Sequence, residues 1–599
     1  MFKTLTAQIK QYKKDFILAP IFGVFEVVME VMLPYIMALL IDEGVSAGNM
    51  NAVIKWSLVM VVSAVASMCF GMLAGKFASQ AAGGLCSNLR DAMYARIQTF
   101  SFSNIDHFST SGLVTRMTTD VTNIQNAVIM VLRMAIRAPI TIIASIVMCV
   151  IISPSLSLIF VVALICLAIV LVLVNVTVNP IFNEVFDKYD NLNASVQENV
   201  SAIRVVKAFV REDYEDEKFQ KASGEIYDMF VKAEGRLAIN NPVLMLILYG
   251  CIIALSWFGA NFVVDGIITT GNLSSLFGYV MQMLMSLMIL SMIIVQITMS
   301  QASVRRISEV LTEEPDITDP EDPVMEVPDG AVDFNHVSFS YKSGTGERVL
   351  QDIDLHIHAG ETVGIIGGTG SGKTSLVNLI SRLYDVNEGS VCVGGHDVRE
   401  YDLDTLRNKV AVVLQKNELF TGTVLDNLRW GNKDATLEEC KHACDLAGAS
   451  EFVETLPNGY ETMIEQGGTN VSGGQKQRLC IARALLKEPK VLILDDSTSA
   501  VDTATDARIQ DALTNDLPEM TKIIISQRVS SLASADRIIV LEDGRVTAFG
   551  THDELMKQSE MYHDIYEQQT KGGGGGDFDV PNAEPAPAAA GTDSGKAGE

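Results

Sequence analysis

The stretch "KVLILDDSTSAVD", residues 490–502, is an apolar run that ends in two aspartates, Asp495 and Asp496. A carboxylate at the tip of a buried strand can hold a divalent cation, and a second acid beside it can orient a water. Upstream, "VGIIGGTGSGKTS" (363–375) matches the pattern G-x-x-x-x-G-K-[ST] behind another apolar run. Its candidate phosphate-binding residues are Gly367, Gly368, Thr369, Gly370, Ser371, Gly372, Lys373, Thr374 and Ser375. The glycines let backbone N–H groups curl round phosphate oxygens without Cβ clashes. Lys373 can reach the β and γ phosphates, and Thr374 can hold Mg²⁺ together with Asp495. The helix that follows turns its positive end to the anion.

Other residues extend this chemistry. Tyr341 ends "FSY", where an aromatic ring could stack on adenine or simply cover a strand surface. Gln415 in "VVLQKNELF" leaves a strand where an amide could touch both the metal and an attacking water. "VSGGQKQR" (471–478) is a second glycine-rich helix start with the same anion-cradling logic.

Positioning these groups requires β-rich runs alternating with amphipathic helices, which residues 331–570 supply as a soluble α/β domain. Before it, 306–330 reads as a linker rich in Pro and acids, and 1–305 as an all-α membrane domain. Six apolar stretches of spanning length are expected at about 16–41, 53–78, 127–152, 155–179, 238–263 and 272–298. The gaps 42–52, 153–154 and 264–271 contain no Lys or Arg, whereas 79–126 contains three and 180–237 eight. The positive-inside rule then puts the N-terminus, both long connections and the α/β domain in the cytoplasm. The long connections read as amphipathic helical hairpins of about 50 residues that project beyond the lipid. The tail, 571–599, is low-complexity Gly/Ala/Pro sequence expected to be disordered.

Composition excludes some functions. A net charge of −27 argues against nucleic-acid binding, which needs clustered Lys and Arg. Nine cysteines fit reduced thiols. Cys440 and Cys444, at i,i+4 around His442, lack the second ligand pair of a zinc site. No cleavable signal peptide is visible.

The loop at 367–374, "VSGGQ" at 471–475, "LDD" at 494–496 and "SAVD" at 499–502 together resemble an ABC transporter nucleotide-binding domain. With six spans in front, the chain resembles an ABC exporter half-transporter over about residues 1–570. The resemblance implies that two chains pair and sandwich two ATP molecules. Each ATP would lie between the loop of one chain and the signature (here Ser472, Gly473, Gly474 and Gln475) of the other. Closure would turn the membrane cavity outward.

Three positions depart from the family pattern. Asp496 stands where a catalytic glutamate is expected, and Gln527 in "KIIISQRVSS" stands where a histidine is expected. Gln466, with Glu465 beside it, replaces a glutamate five residues before Val471. An aspartate withdraws its carboxylate by about 1.5 Å, and misplacement of that order costs roughly 10²-fold in rate. Glutamine cannot become cationic near neutral pH. The pattern resembles the degenerate-site subunit of bacterial heterodimeric multidrug-type ABC exporters. It implies a partner half-transporter with intact Glu and His, and a bacterial plasma membrane. The expected substrate is a drug or other amphipathic molecule. Alternatives are a slow homodimer or an ATP-gated regulator, an exporter of lipid or peptide, or an importer of metal chelates.

Inside the spans, Glu26 and Glu30 face Arg133 and Arg137 in sequence depth. The four either pair with each other or attract cationic substrates. Met281, Met283, Met285, Met288, Met292 and Met299 enrich the sixth span. They read as lipid-facing or packed residues, or as an adaptable apolar pocket.

Overall fold

The computed structural model describes residues 2–341 and 348–571. The expected tail, 572–599, and the side chain of Met299 lie outside the described residues. Two compact units emerge. Among the described residues, one comprises 2–99 and 108–314, the other 100–107, 315–341 and 348–571.

The first unit is helical. Helical runs long and apolar enough to cross a membrane are Lys10–Ser46, Met50–Gln98, Thr110–Ile152, Met245–Val264 and Thr270–Leu290. A shorter apolar stretch, Pro154–Val170, begins a helix that runs on to Ser201. Side-chain caps start three of these helices after the Lys-free gaps. Asn49 accepts from the N–H groups of Asn51 and Ala52, Ser153 from Leu156 with Pro154 at the first helical position, and Thr269 from Asn272. The 49-residue helix Met50–Gln98 is about 70 Å long, over twice the thickness of a hydrocarbon core.

The first long connection is not a continuous amphipathic helix. It breaks at Thr99–Ser101, where the Thr99 hydroxyl donates to the Arg96 carbonyl and Asn104 Oδ1 accepts from the Ser101 N–H. A short helix, Phe102–Phe108, follows. The second connection breaks on either side of Ile203–Ala208, with Val210 at φ 50°.

Three of the four charges expected to pair within the spans do so. Arg137 lies 3.1 Å from Glu26 and 2.6 Å from Glu30, bridging both acids. Gly71 makes room for this: a Cβ there would stand 2.9 Å from Glu26 Oε1. Arg133, one turn earlier, is exposed and passes over Gly75. Arg137→Ala should therefore strand two carboxylates and lower stability by about 3 kcal/mol, whereas Arg133→Ala should change it little. Thermal unfolding of the purified protein in detergent checks both. Further along, Asp120 is fully buried and accepts from Ser303 and from the Arg306 guanidinium, fastening the helix Thr270–Thr312 to the turn at 116–120. On that long helix Met283 is buried in the core, while Met281, Met285, Met288 and Met292 are exposed along one face.

The second unit is α/β. Its strands are β1 (Val332–Phe339), β2 (Leu350–Ile357), β3 (Thr362–Gly367), β4 (Glu388–Val393), β5 (His396–Asp397), β6 (Val410–Val413), β7 (Gly422–Thr423), β8 (Met463–Ile464), β9 (Val491–Asp495), β10 (Thr521–Ile525), β11 (Arg537–Glu542) and β12 (Arg545–Gly550). The central sheet has the order β12-β11-β3-β10-β9-β6 and is parallel except for β12. An antiparallel sheet, β2-β1-β4-β5, and the small β7-β8 pair complete it. Alternate residues of the central strands feed two cores: Leu492, Leu494, Ile524 and Val540 on one face, Ile493, Ile523, Ile525 and Ile539 on the other.

Residues 100–107 belong to this unit. The Asp316 carboxylate accepts from the hydroxyls of Ser101 and Ser103, and Tyr384 donates to Asp106 at 2.7 Å. Phe102 meets the Tyr384 ring edge-on.

Candidate functional site

Four neighbouring parallel strands end side by side, and their exits make the site. β3 runs into the glycine-rich loop, β10 leads to Gln527, β9 ends in Asp495 and β6 leads to Gln415. Crevices at the carboxyl ends of such strands are where α/β sheets bind ligands. Here the cavity measures about 320 Å³. Its lining includes Thr369, Gly370, Gly372, Lys373, Thr374, Ser375, Gln415, Asp495, Asp496 and Gln527, with Val349 and Ile525.

The loop is built on left-handed backbone. Gly370 has φ 85° and Gly372 φ 99°, and Gly372 precedes the helix Lys373–Ile380. A side chain at 372 would be strained and would meet Leu350 Cδ2 at 2.9 Å. The Lys373 ammonium donates to the carbonyls of Gly367 and Gly368, both at 2.8 Å, which holds it over the loop. The hydroxyl of Ser371 is buried, and its backbone bridges Gly368 and Gly544.

Thr374 Oγ1 donates to Asp495 Oδ2 at 2.9 Å. A hydroxyl, one buried carboxylate and the Gln415 amide are hard oxygen donors of the kind Mg²⁺ takes beside substrate phosphates. Among the described residues no cluster of three His, Cys, Asp or Glu makes a self-sufficient metal cage. Cys440 and Cys444 are buried, and burial pushes the Cys444 thiol up to about 12, far from a metal-binding thiolate.

Asp496 sits at φ 48°, an uncommon backbone for a non-glycine residue. Its Oδ2 takes a long contact, 3.5 Å, from Gln527 Nε2, and the Gln415 amide faces the same carboxylate. Burial holds both Asp495 and Asp496 above their ordinary carboxylate value of 3.8, with Asp496 adding to the rise at Asp495. Burial also lowers the pKa of Lys373.

These shifts have a testable sign. A carboxyl whose pKa rises on folding contributes stability that is whole below 3.8 and is lost as pH rises through the raised value. Wild type without nucleotide should therefore lose stability relative to Asp495→Asn as pH climbs above about 4. Saturating Mg²⁺ and ATP should reverse the order at neutral pH. Paired thermal unfolding curves check this.

The signature residues stand apart from this cavity. Ser472 caps the helix Gly473–Leu485 in a reciprocal box: Gln475 N–H donates to Ser472 Oγ, and Ser472 N–H to Gln475 Oε1. None of Ser472, Gly473, Gly474 or Gln475 lines the phosphate cavity. Tyr341 also lies outside the lining. Its hydroxyl is 2.8 Å from Ser375 Oγ, and its ring meets Tyr384 edge-on. Glu465 accepts from Thr469, while Gln466 opens the turn Gln466–Gly468, whose Gly467 carbonyl accepts from Lys476 on the signature helix.

Some contacts were not legible from motifs. Gln477 ties the signature helix to the "SAVD" loop through Ser499 and Ala500. Arg528, next to Gln527, donates to the carbonyls of Ser499 and Val501. Only the basic character of Arg528 hinted at such a role.

Comparison with known proteins agrees with this architecture. The family described as "ABC transporter transmembrane region" matches residues 16–287, and that described as "ABC transporter" matches 350–499. The chain is 35% identical over 544 residues to the uncharacterized ABC transporter ATP-binding protein YfiB of Bacillus subtilis, covering 91% of this chain and 94% of that one. It is 36% identical over 375 residues to the ATP-dependent lipid A-core flippase of Desulfotalea psychrophila, covering 62% and 65%. In fold it is similar to a bacterial Atm1-family ABC exporter with ATP bound, with a TM-score of 0.79 and 23% identity over 96% of this chain and 100% of the other. The chain therefore belongs to the ABC transporter family, as a half-transporter that joins one transmembrane region to one nucleotide-binding domain.

Proposed function

We propose that this chain is one subunit of a heterodimeric, ATP-driven exporter of amphipathic molecules in a bacterial plasma membrane. Its own site retains ATP and hydrolyses it slowly, while its signature completes the faster site on the partner. The observation that carries this reading is the pairing at Asp496. The acid that should orient water is one methylene short and is faced by two amides, Gln415 and Gln527.

Phosphoryl transfer to water depends on positioning and electrostatics. Lys373 and the loop N–H groups would hold the phosphates, and Tyr341 would stack on adenine after turning from Ser375. Thr374, Asp495 and Gln415 would hold Mg²⁺, which when bound neutralises phosphate charge. Gln527 would reach the γ-phosphate as a neutral donor. Asp496 would orient water poorly, so ATP here acts as a clamp whose binding favours the closed dimer. The intact cap at Ser472 supports service to the partner's site.

The test is Asp496→Glu combined with Gln527→His in the assembled transporter. Single-turnover hydrolysis at this chain's own site should rise about 10²-fold. An unchanged rate would sink the clamp reading. Affinity purification from native membranes should also recover a second half-transporter in equal amount. Recovery of this chain alone would make it a homodimer with two slow sites.

The flippase relative favours a lipid-like amphipath as cargo over a small cationic drug. The Glu26–Arg137–Glu30 bridge points the same way, because both acids are already neutralised in part.

A further inference from the structure

The switch residue Gln527 is held from behind by the last helix of the described chain. Gln569, on the helix Glu560–Lys571, spans the backbone of the switch segment with one amide. Its Nε2 donates to the Gln527 carbonyl at 2.8 Å, and its Oε1 accepts from the Val529 N–H at 2.9 Å. A primary amide has one donor side and one acceptor side, and both are used here, as if an extra strand had paired with residues 527–529.

The helix that carries Gln569 is firmly seated. Tyr562 is fully buried, and its hydroxyl meets His552 Nδ1 at 2.7 Å. Ile565 and Tyr566 pack on the same core that buries Val529. From the gripped backbone two side chains point different ways. Gln527 reaches Asp496 in the phosphate cavity, and Arg528 reaches the carbonyls of Ser499 and Val501. The amide of Gln569 thus sets where both begin.

We propose that Gln569 is a positioning residue for nucleotide retention: it fixes the backbone from which Gln527 meets the γ-phosphate and Arg528 steadies the "SAVD" loop. This rests on the reading of Gln527 as the γ-phosphate contact. It adds that the C-terminal helix, remote from every nucleotide motif in the sequence, controls that contact.

The experiment uses the full assembled transporter and compares Gln569→Ala, Gln569→Glu, Gln527→Ala and the double variant Gln527→Ala/Gln569→Ala. Two readouts are taken: amide exchange across residues 526–530, and the dissociation rate of radiolabelled ATP trapped on this chain. Gln569→Ala should speed exchange at Val529 and shorten ATP retention about tenfold. Gln569→Glu keeps the acceptor for Val529 but sets a carboxylate against the Gln527 carbonyl. It should keep Val529 protected and still shorten retention. The double variant should shorten retention by less than the product of the two single effects, a non-additivity that loosened packing would not produce. Retention shortened by Gln527→Ala but unchanged in Gln569→Ala overturns the role of Gln569 and leaves that of Gln527 standing. Retention unchanged in both overturns the γ-phosphate reading, and this inference with it.

Discussion

Lys373→Ala is expected to weaken ATP binding to this chain by roughly 10²-fold while leaving the fold intact. The ammonium is a charged donor already poised over the loop by the Gly367 and Gly368 carbonyls, so little reorganisation is needed to meet a phosphate. A hydrogen bond to a charged group contributes about 1.5–3 kcal/mol, which sets the scale of the loss. Burial lowers the pKa of this lysine, so desolvation already opposes its charge, and removing the side chain should not harm the nucleotide-free protein. Equilibrium nucleotide titration and thermal unfolding, measured side by side, separate the two effects. Under the proposed division of labour, loss of this ATP slows transport by loosening the dimer but spares the chemistry of the partner's site. Equal loss of ATP binding at both sites would contradict it.

Gly473→Asp should do the reverse. A Cβ at Gly473 would touch only the Ala500 Cβ, at an ordinary 3.5 Å, and an acid in the first turn suits a helix N-terminus. The variant should fold. Its carboxylate would stand where the signature offers N–H groups to phosphate, turning attraction into repulsion. Removing a preorganised donor costs about 10²–10³ in rate, and adding an opposing charge should cost at least the same. Steady-state hydrolysis by the complex should fall by that factor, while ATP held on this chain's own loop stays at the wild-type level. If hydrolysis persists, the signature of this chain serves no catalytic site.

The gathering of the loop, Asp495 and Gln415 round one cavity was legible in the sequence because it depends on local spacing. The loop, Asp495 and Gln415 each follow an apolar run, and parallel strands in the order β3-β10-β9-β6 bring those run ends together. The breaks in the long connections were harder to see. Ser, Thr and Asn there bond to nearby backbone, which a helical hydrophobic period does not register. The sequence left the four charges Glu26, Glu30, Arg133 and Arg137 either to pair with each other or to attract cationic substrates. Packing chose Arg137 for both acids, with Gly71 as the accommodating neighbour, and no pattern on a single helix encodes that choice. Gln569 was invisible for the same reason, since its partners lie 40 and 42 residues away.

The placement of residues 100–107 has a practical consequence for anyone who wishes to produce the ATPase by itself. A gene fragment beginning at the linker would omit an octapeptide, residues 100–107, encoded far upstream of it. The excised protein would expose the Tyr384 hydroxyl and the Asp316 carboxylate without Asp106, Ser101 or Ser103, and would bare the ring edge that Phe102 covers. Supplying residues 100–107 as a synthetic peptide, or grafting them ahead of Pro315 through a flexible spacer, should restore solubility to such a fragment. The unit of folding and the unit of cloning are, in this chain, different things.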